Sequence, residues 1–233
     1  VLLGNQLVSS SATGSEIIAM RADTSVSAGD MCGAFLIGNT DTSGTEDHFA
    51  GMYAKSSTTN GTMDLHFAAG RTAYEADTPH MTISKDGYVT MSSQPAFNAY
   101  KSSSQTNIAI NTAVTITWET EQFDVGSNFA SNTFTAPVTG KYQFNANIRL
   151  LQLDQSANYI QVFLITSNRS YELFLLDPTQ FNADVGYFTF GGSCLVDMDA
   201  SDTAYLTVTQ SGGAAQLDIG NGTDAHFSGY LVA

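Results

Sequence analysis

The sequence predicts an all-β chain, with a C-terminal antiparallel jelly-roll sandwich over residues 96–233 and a β-rich domain before it over residues 1–95. Three observations predict this. No stretch of the 233 residues holds a 3.6-residue apolar period long enough for a helix. Apolar and polar residues instead alternate in short runs, which clusters of Gly, Asn, Asp, Ser and Pro separate. The polarity is also neutral: 13% of residues are charged, 42% are apolar and 11% are aromatic. Ser, Thr, Asn, Gln and Gly supply the rest, as in rigid extracellular β proteins and virus appendages.

The same arithmetic excludes several function classes. Acids outnumber bases 22 to 8, a net charge of −14, so the chain lacks the basic footprint of a nucleic-acid binder. No apolar run approaches the ~18 residues of a membrane span. The chain opens Val1-Leu2-Leu3-Gly4, without an initiator Met or a basic region before an apolar run, and reads as a fragment of a longer protein. Cys32 and Cys194 are far apart in apolar contexts and are expected as two buried thiols, with a single long-range disulfide as the alternative; neither Cys nor His shows metal-type spacing.

Composition shifts near residue 95. Six of the seven Met precede Gln94-Pro95 and eleven of the fourteen Phe follow it, so the boundary is set at 92–96. In the first part, Ile17-Ile18-Ala19-Met20, residues 31–37, residues 48–54 and residues 62–68 read as short strands. Asn60-Gly61 marks a hairpin between the last two. A second hairpin is expected across Lys85-Asp86-Gly87, between 81–84 and 88–91. In the second part, strands are expected at 96–100, 107–118, 140–152, 158–166, 170–176, 185–196, 203–210 and 225–233. Eight strands joined by mostly short loops point to a sandwich or jelly roll.

Three separated blocks carry a resemblance. They are Phe123-Asp124-Val125 with Asn128-Phe129, then Phe134-Thr135-Ala136-Pro137-Val138-Thr139-Gly140-Lys141-Tyr142-Gln143-Phe144, and the closing Phe227-Ser228-Gly229-Tyr230-Leu231-Val232. Together they resemble the globular head domain of the complement first-component recognition subcomponent, which shares its jelly roll with tumour necrosis factor. Pro95-Ala96-Phe97 fits that family's first strand. The wording of the second block, with Asp197-Met198-Asp199-Ala200-Ser201-Asp202 before the seventh strand, resembles versions on phage tail fibres and other viral fibres. No Gly-X-Y run precedes residue 96. The first part resembles β-rich segments that precede receptor-binding tips in phage tail fibres through Asp64-Leu65-His66-Phe67, Gly70-Arg71, His80-Met81-Thr82-Ile83 and Asp86-Gly87-Tyr88-Val89. Such shaft or neck segments are often intertwined between three chains.

The resemblance implies a homotrimer that buries the last strand at a threefold axis, with Phe97, Tyr142, Phe227, Tyr230 and Val232 as expected interface residues. It also implies that both ends of the head lie at its base. The loop 211–224, with Asp218, Asn221 and Asp224, is then expected at the tip, and so is the turn at Ser167, Asn168 and Arg169. Loops on a rigid sandwich carry recognition, so Asn168, Arg169, Asp218, Asn221 and Asp224 are the expected receptor-binding residues.

Other candidates weigh less. Glu119 and Glu121 sit about 7 Å apart on one strand face without a facing partner, so a solvated strand end is expected rather than a glycosidase pair. Asp197, Asp199 and Asp202 are a candidate Ca²⁺ set, set against a plain Asp-Ser turn. No Ser-His-Asp arrangement stands out. Asn60, Asn168 and Asn221 begin Asn-x-Ser/Thr triplets but read as turns. Trp118, the only Trp, is expected in the core or at its rim, and Tyr159, Tyr171 and Tyr187 are expected as sandwich packing. No cofactor is expected beyond that candidate Ca²⁺.

The expected function is the receptor-binding tip of a trimeric phage or viral fibre. It would adhere without catalysis to a host surface receptor, a glycan or a protein, as a virion appendage joined to the remainder of the fibre. The alternative is a secreted or cell-surface recognition module of a bacterium or animal that binds protein ligands. A fibre-borne depolymerase is a third reading.

Overall fold

A computed structural model describes residues 21–22, 25–38, 49–71 and 79–233. The strand expected at Ile17-Ile18-Ala19-Met20 and the start of the run at His48 lie outside the described residues. The chain divides into two compact units, Val1–Ser93 and Gln94–Ala233.

The first unit holds a five-stranded antiparallel meander: β1 (Met31–Gly38), β2 (Phe49–Ser56), β3 (Met63–Arg71), β4 (Met81–Ile83) and β5 (Val89–Thr90). Both expected hairpins form. Asn60 and Gly61 lie in the β2–β3 turn, where Gly61 takes a φ of 74°. Gly87 takes 85° between β4 and β5, and its N–H donates to the Ser84 carbonyl at 2.8 Å. The asparagine-glycine and aspartate-glycine pairs therefore mark turns because the chain needs a left-handed residue there.

The second unit is the all-β jelly roll. Its twelve strands are β6 (Ala96–Lys101), β7 (Val114–Thr115), β8 (Thr120–Val125), β9 (Phe129–Ala130), β10 (Thr133–Thr135), β11 (Gly140–Leu153), β12 (Ala157–Thr166), β13 (Ser170–Leu176), β14 (Val185–Met198), β15 (Thr203–Gly212), β16 (Asp218–Ile219) and β17 (Gly222–Leu231). One sheet runs β13-β12-β15-β10-β9, with β7 on β15, and the other runs β14-β11-β17-β6-β8, with β16 on β11. All the strand pairings are antiparallel.

Alternation drives this packing. Along β11, Tyr142, Phe144, Ala146, Ile148 and Leu150 are buried between the sheets, while Lys141, Gln143, Asn145, Asn147 and Arg149 face outward. The core is rich in phenylalanine. Phe97 stacks on Phe129 at 4.6 Å and on Phe134 at 5.1 Å, and it meets Phe227 edge-on at 5.1 Å. Gly229 gives these rings room, since a Cβ there would lie 2.6 Å from Phe144 and 2.8 Å from Phe97. Trp118 lies in this core, 6.1 Å from the Phe227 ring.

The sequence blocks have physical reasons. Asp124 ties the turn after β8 by accepting from the N–H groups of Asn128 at 3.1 Å and Phe129 at 2.9 Å. Gly126 and Ser127 take left-handed φ values within that turn. Gly140 is glycine because a Cβ would lie 2.6 Å from Leu231 and 2.7 Å from the Ala233 carbonyl. The Tyr142 hydroxyl donates to the Val138 carbonyl at 2.7 Å, which locks the turn that enters β11.

Three expectations are corrected. Residues 107–118 do not form one strand. Asn107 and Asn111 take φ values of 58° and 60°, which break it, and β7 is the one strand there, with Ile110 forming a single bridge to Gln210. Strands β8, β9 and β10 replace the expected gap between 118 and 140. Cys32 and Cys194 are both free, and they are half-buried rather than buried.

Candidate recognition surface

The second unit has two distinct ends. At one, the chain enters and leaves: the Leu231 N–H donates to the Pro95 carbonyl at 3.0 Å, and the Lys141 N–H donates to the Ala233 carbonyl at 2.6 Å. This proximal end also holds the turn at 199–202, because Gly140 pairs with Met198. Antiparallel register then fixes the remaining loops. Ala157 pairs with Gly212 and Thr166 with Ala204, so β12 runs from the distal to the proximal end.

The turn at Ser167, Asn168 and Arg169 is therefore proximal, not at the tip. Asn168 Nδ2 donates to the Asp202 carboxylate at 2.7 Å, and Arg169 lies 3.9 Å from Asp197. Counting strands back from β17 gives the same answer: three strands, β15, β14 and β13, separate the 211–224 loop from this turn, so the turn falls at the opposite end. The Asp197, Asp199 and Asp202 carboxylates do not converge. Asp202 closes its own turn by accepting the Asp199 N–H at 2.9 Å, and no three acidic, His or Cys side chains among the described residues gather to hold a metal.

The distal end is built from segments around 102–113, 154–156, 177–184 and 213–221. Asp154 stands at its centre and is 5% exposed. Its carboxylate accepts from the N–H groups of Ala214 at 2.5 Å, Ala215 at 2.7 Å and Ser156 at 2.8 Å, and from the Ser156 hydroxyl at 2.6 Å. The hydrogen bonds from Ala215 and Ser156 outweigh burial and hold its pKa at about 2. Gln210, fully buried, accepts from the Leu217 N–H at 2.8 Å and donates to the Ala215 carbonyl at 2.7 Å. Asn111 accepts from the Gly212 N–H at 2.9 Å. Asp177 caps the short 3-10 turn Pro178–Gln180, and Asp184 accepts from the Gln155 N–H at 2.9 Å.

This network changes the roles of the expected receptor contacts in the 211–224 loop. Asp218 is buried and accepts from the Asn107 N–H at 2.7 Å and from Gln152 Nε2 at 3.1 Å, so it anchors the loop rather than meeting a ligand. Asp224 is exposed but pairs with Arg149 across the outer face. Asn221 is exposed and accepts from the Ser104 hydroxyl at 3.3 Å. Glu119 is exposed, as expected, but it does not lack a partner. It receives the ammonium of Lys101 at 3.0 Å, and that ammonium also donates to the Thr117 carbonyl at 2.9 Å. Burial pushes the Glu119 carboxyl up, but hydrogen bonds from Lys101 and Thr117 win and hold it below its ordinary value. Glu121 stands exposed on β8.

Two distal aromatics remain free. Tyr187 on β14 is 77% exposed, and Tyr159 on β12 is 38% exposed. The sequence held the signal for Tyr187. Phe188, Phe190, Cys194, Val196 and Met198 share the inward parity of β14, which leaves Tyr187 and Leu195 outward. Asn158 and Asn182 are exposed on the same segments, whereas the Gln152 amide donates to Asp218 and the Gln216 amide to the Asn107 and Ile108 carbonyls. The free chemistry of this end is thus mainly its tyrosine rings, while most of its acids and two of its amides are spent on tying the loops.

A second surface is the outer face of the sheet β14-β11-β17-β6-β8. One row across it reads Leu195, Gln143, Tyr230, Ala96 and Val125, and the next reads Ser193, Asn145, Ser228, Asn98 and Phe123. Tyr230, Leu195 and Phe123 are exposed there, and Val232 is exposed just beyond the end of β17. The other expected trimer-interface residues are corrected: Phe97, Tyr142 and Phe227 are buried inside the sandwich and offer nothing to a second copy. Their strand parity points inward, whereas Tyr230 and Val232 point out.

Among the described residues, no helix is long and apolar enough to cross a membrane. No curated protein matches the chain. Among solved structures, it is similar to the globular domain of zebrafish complement 1qA, at 17% identity over 60% of this chain and 98% of that one, with a TM-score of 0.43. Two crystal structures of murine APRIL are similar at 8% and 9% identity, again over 60% of this chain and 99% of theirs, with TM-scores of 0.43. The C1q domain family matches residues 96–232, from the first strand of the jelly roll to the residue after its last, and the chain belongs to that family.

Proposed function

We propose that this chain is the receptor-binding tip of a trimeric viral fibre of the phage tail-fibre kind. It adheres to a host surface receptor, a glycan or a protein, and catalyses nothing. Homologues of the C1q and tumour necrosis factor kind form trimers and bind receptors, which supports both the copy number and the recognition role. In this reading the open outer face carrying Leu195, Tyr230, Phe123 and Val232 is buried around the threefold axis.

One observation carries the recognition role: the distal end presents two exposed tyrosines beside loops that its own acids and amides tie down. Buried Asp154, Gln210 and Asp218 hold its loops, and Tyr187 and Tyr159 stand free beside exposed amides. Tyrosine rings beside amides suit a sugar face or a neutral peptide. Three equivalent weak sites then gain by avidity.

The test is competition. The purified chain is expected to block attachment of the parent virions to host cells, and Tyr187→Ala is expected to weaken that block. A chain that is monomeric and does not compete overturns the reading. The membership in the C1q family keeps the second reading open, a secreted or cell-surface module for protein ligands. A signal peptide encoded upstream favours the second reading, and flanking virion structural genes favour the first.

A further inference from the structure

Two Asn-Gly pairs occur in the sequence, Asn60-Gly61 and Asn221-Gly222. Such a pair is chemically distinct because glycine has no side chain to shield its backbone nitrogen. That nitrogen can reach the side-chain carbonyl carbon of the asparagine before it. The two pairs stand in different surroundings. Asn60 and Gly61 close the β2–β3 turn, and both backbone N–H groups are engaged there. The Asn60 N–H donates to Thr58 Oγ1 at 3.2 Å, and the Gly61 N–H donates to the Thr58 carbonyl at 3.4 Å. Asn221 is exposed and leads into β17 at the distal end. Its side-chain carbonyl oxygen accepts from the Ser104 hydroxyl at 3.3 Å. Gly222 takes a φ of 95°, and the register slips between Gly222 and His226, so the start of β17 is irregular.

We propose that Asn221 is a self-modifying site, which attack by the Gly222 nitrogen converts to aspartate and isoaspartate with assistance from Ser104. Water and hydroxide are the only co-reactants. Hydroxide removes the Gly222 amide proton, and the nitrogen bonds to Asn221 Cγ. Charge gathers on Asn221 Oδ1, to which the Ser104 hydroxyl already donates, so that hydrogen bond strengthens as the charge develops. The Cγ–Nδ2 bond then breaks, and the leaving nitrogen takes a proton from water and departs as ammonia. A five-membered imide remains, and water opens it. Opening at Cγ gives aspartate. Opening at the backbone carbonyl gives isoaspartate, whose main chain runs through Cβ. Nothing is oxidised or reduced. Each event adds one negative charge to the distal end, where Asp154 and Asp218 are buried and Asp224 is paired with Arg149. The isoaspartate branch also adds a carbon to the main chain just before Gly222. That addition falls where the register already slips, so the pairing from His226 onward is kept. The reaction does not depend on the receptor reading above.

The test follows the whole chain through prolonged incubation in mildly alkaline buffer. Ion exchange reads the added negative charge, and peptide mapping locates it. The expected result is conversion at Asn221 that is faster than at Asn60 and quickens as pH rises. Conversion at this position is expected to be absent in Asn221→Gln, whose longer side chain cannot close the five-membered ring. It is expected to be about tenfold slower in Ser104→Ala, a smaller loss than removal of a buried oxyanion donor causes. Ser104 is exposed, so its substitution leaves the head folded. Conversion no faster at Asn221 than at Asn60 overturns the proposal, and so does an unchanged rate in Ser104→Ala. A folded chain that stays unconverted while a free peptide spanning Asn221-Gly222 converts overturns it as well, because the fold then holds the reacting atoms apart.

Discussion

At Gly229 the absence of a side chain is a packing requirement. An added methyl would lie 2.6 Å from the Phe144 ring, so Gly229→Ala forces the phenylalanine cluster apart. The expected cost is about 1–3 kcal/mol, read as a lower urea midpoint. Lys101 is the opposite case, a charge that is fully buried and wholly paired. Lys101→Met leaves the half-buried Thr117 carbonyl without its donor while Glu119 turns to water, and is expected to destabilise the head by about 1–3 kcal/mol in thermal unfolding. Asp154 makes a pH-dependent tie. A carboxylate whose folded pKa lies below its unfolded value adds stability above the unfolded pKa and loses it as pH falls. Protection of the Ala214 and Ala215 amides against hydrogen exchange is therefore expected to hold above pH 3.8 and to vanish as pH falls to about 2, ahead of the sandwich core. Asp154→Asn is expected to loosen the same amides at neutral pH.

At the scale of elements, what could be read from the sequence followed from alternation and turn chemistry. Alternation along β11, Tyr142, Phe144 and Ala146 against Lys141, Gln143 and Asn145, suffices to mark its buried and wet faces, and Gly229 stands where neighbouring rings need room. Residues 107–118 misled because their Thr, Val and Ile content suits a strand, while Asn107 and Asn111 impose left-handed turns that composition does not reveal. Strands β9 and β10 were hidden because they are only two and three residues long, and β8 and β10 lean on partners elsewhere in the chain. The role of Asp218 was illegible for a similar reason, since its partners Asn107 and Gln152 come from distant segments. Tyr187 was legible in principle from the parity of β14. With Tyr187 77% exposed, Tyr187→Ala is expected to leave the melting temperature unchanged and to weaken receptor binding about tenfold, as loss of one exposed aromatic anchor does.

At the scale of the whole molecule, charge and apolar surface are kept apart. The net −14 divides as −6 before residue 96 and −8 after it, with four bases against twelve acids in the second part. Three copies would carry three times −14, or −42, so their shared surfaces must be neutral. The outer face of β14-β11-β17-β6-β8 is nearly so in sum, since Lys141 and Arg149 are matched by Asp197 and Asp224 among amides, hydroxyls and a few large apolar groups, and the row Phe35, Met52, Phe67 and Met81 of the first unit carries no charge. The distal end spends its buried acids on its own backbone, so the surface left for a receptor is aromatic and amide. Such a surface gains little from charge attraction, and its binding is expected to depend weakly on salt.

In the proposed reading, recognition lies at the distal end and the proximal turn stays outside it. Host-cell binding by the intact chain and by two variants, Tyr187→Ala distally and Arg169→Ala proximally, tests this most directly. The predicted result is binding by the unaltered chain that falls about tenfold with Tyr187→Ala and holds with Arg169→Ala. Binding that survives Tyr187→Ala and is lost with Arg169→Ala would contradict it.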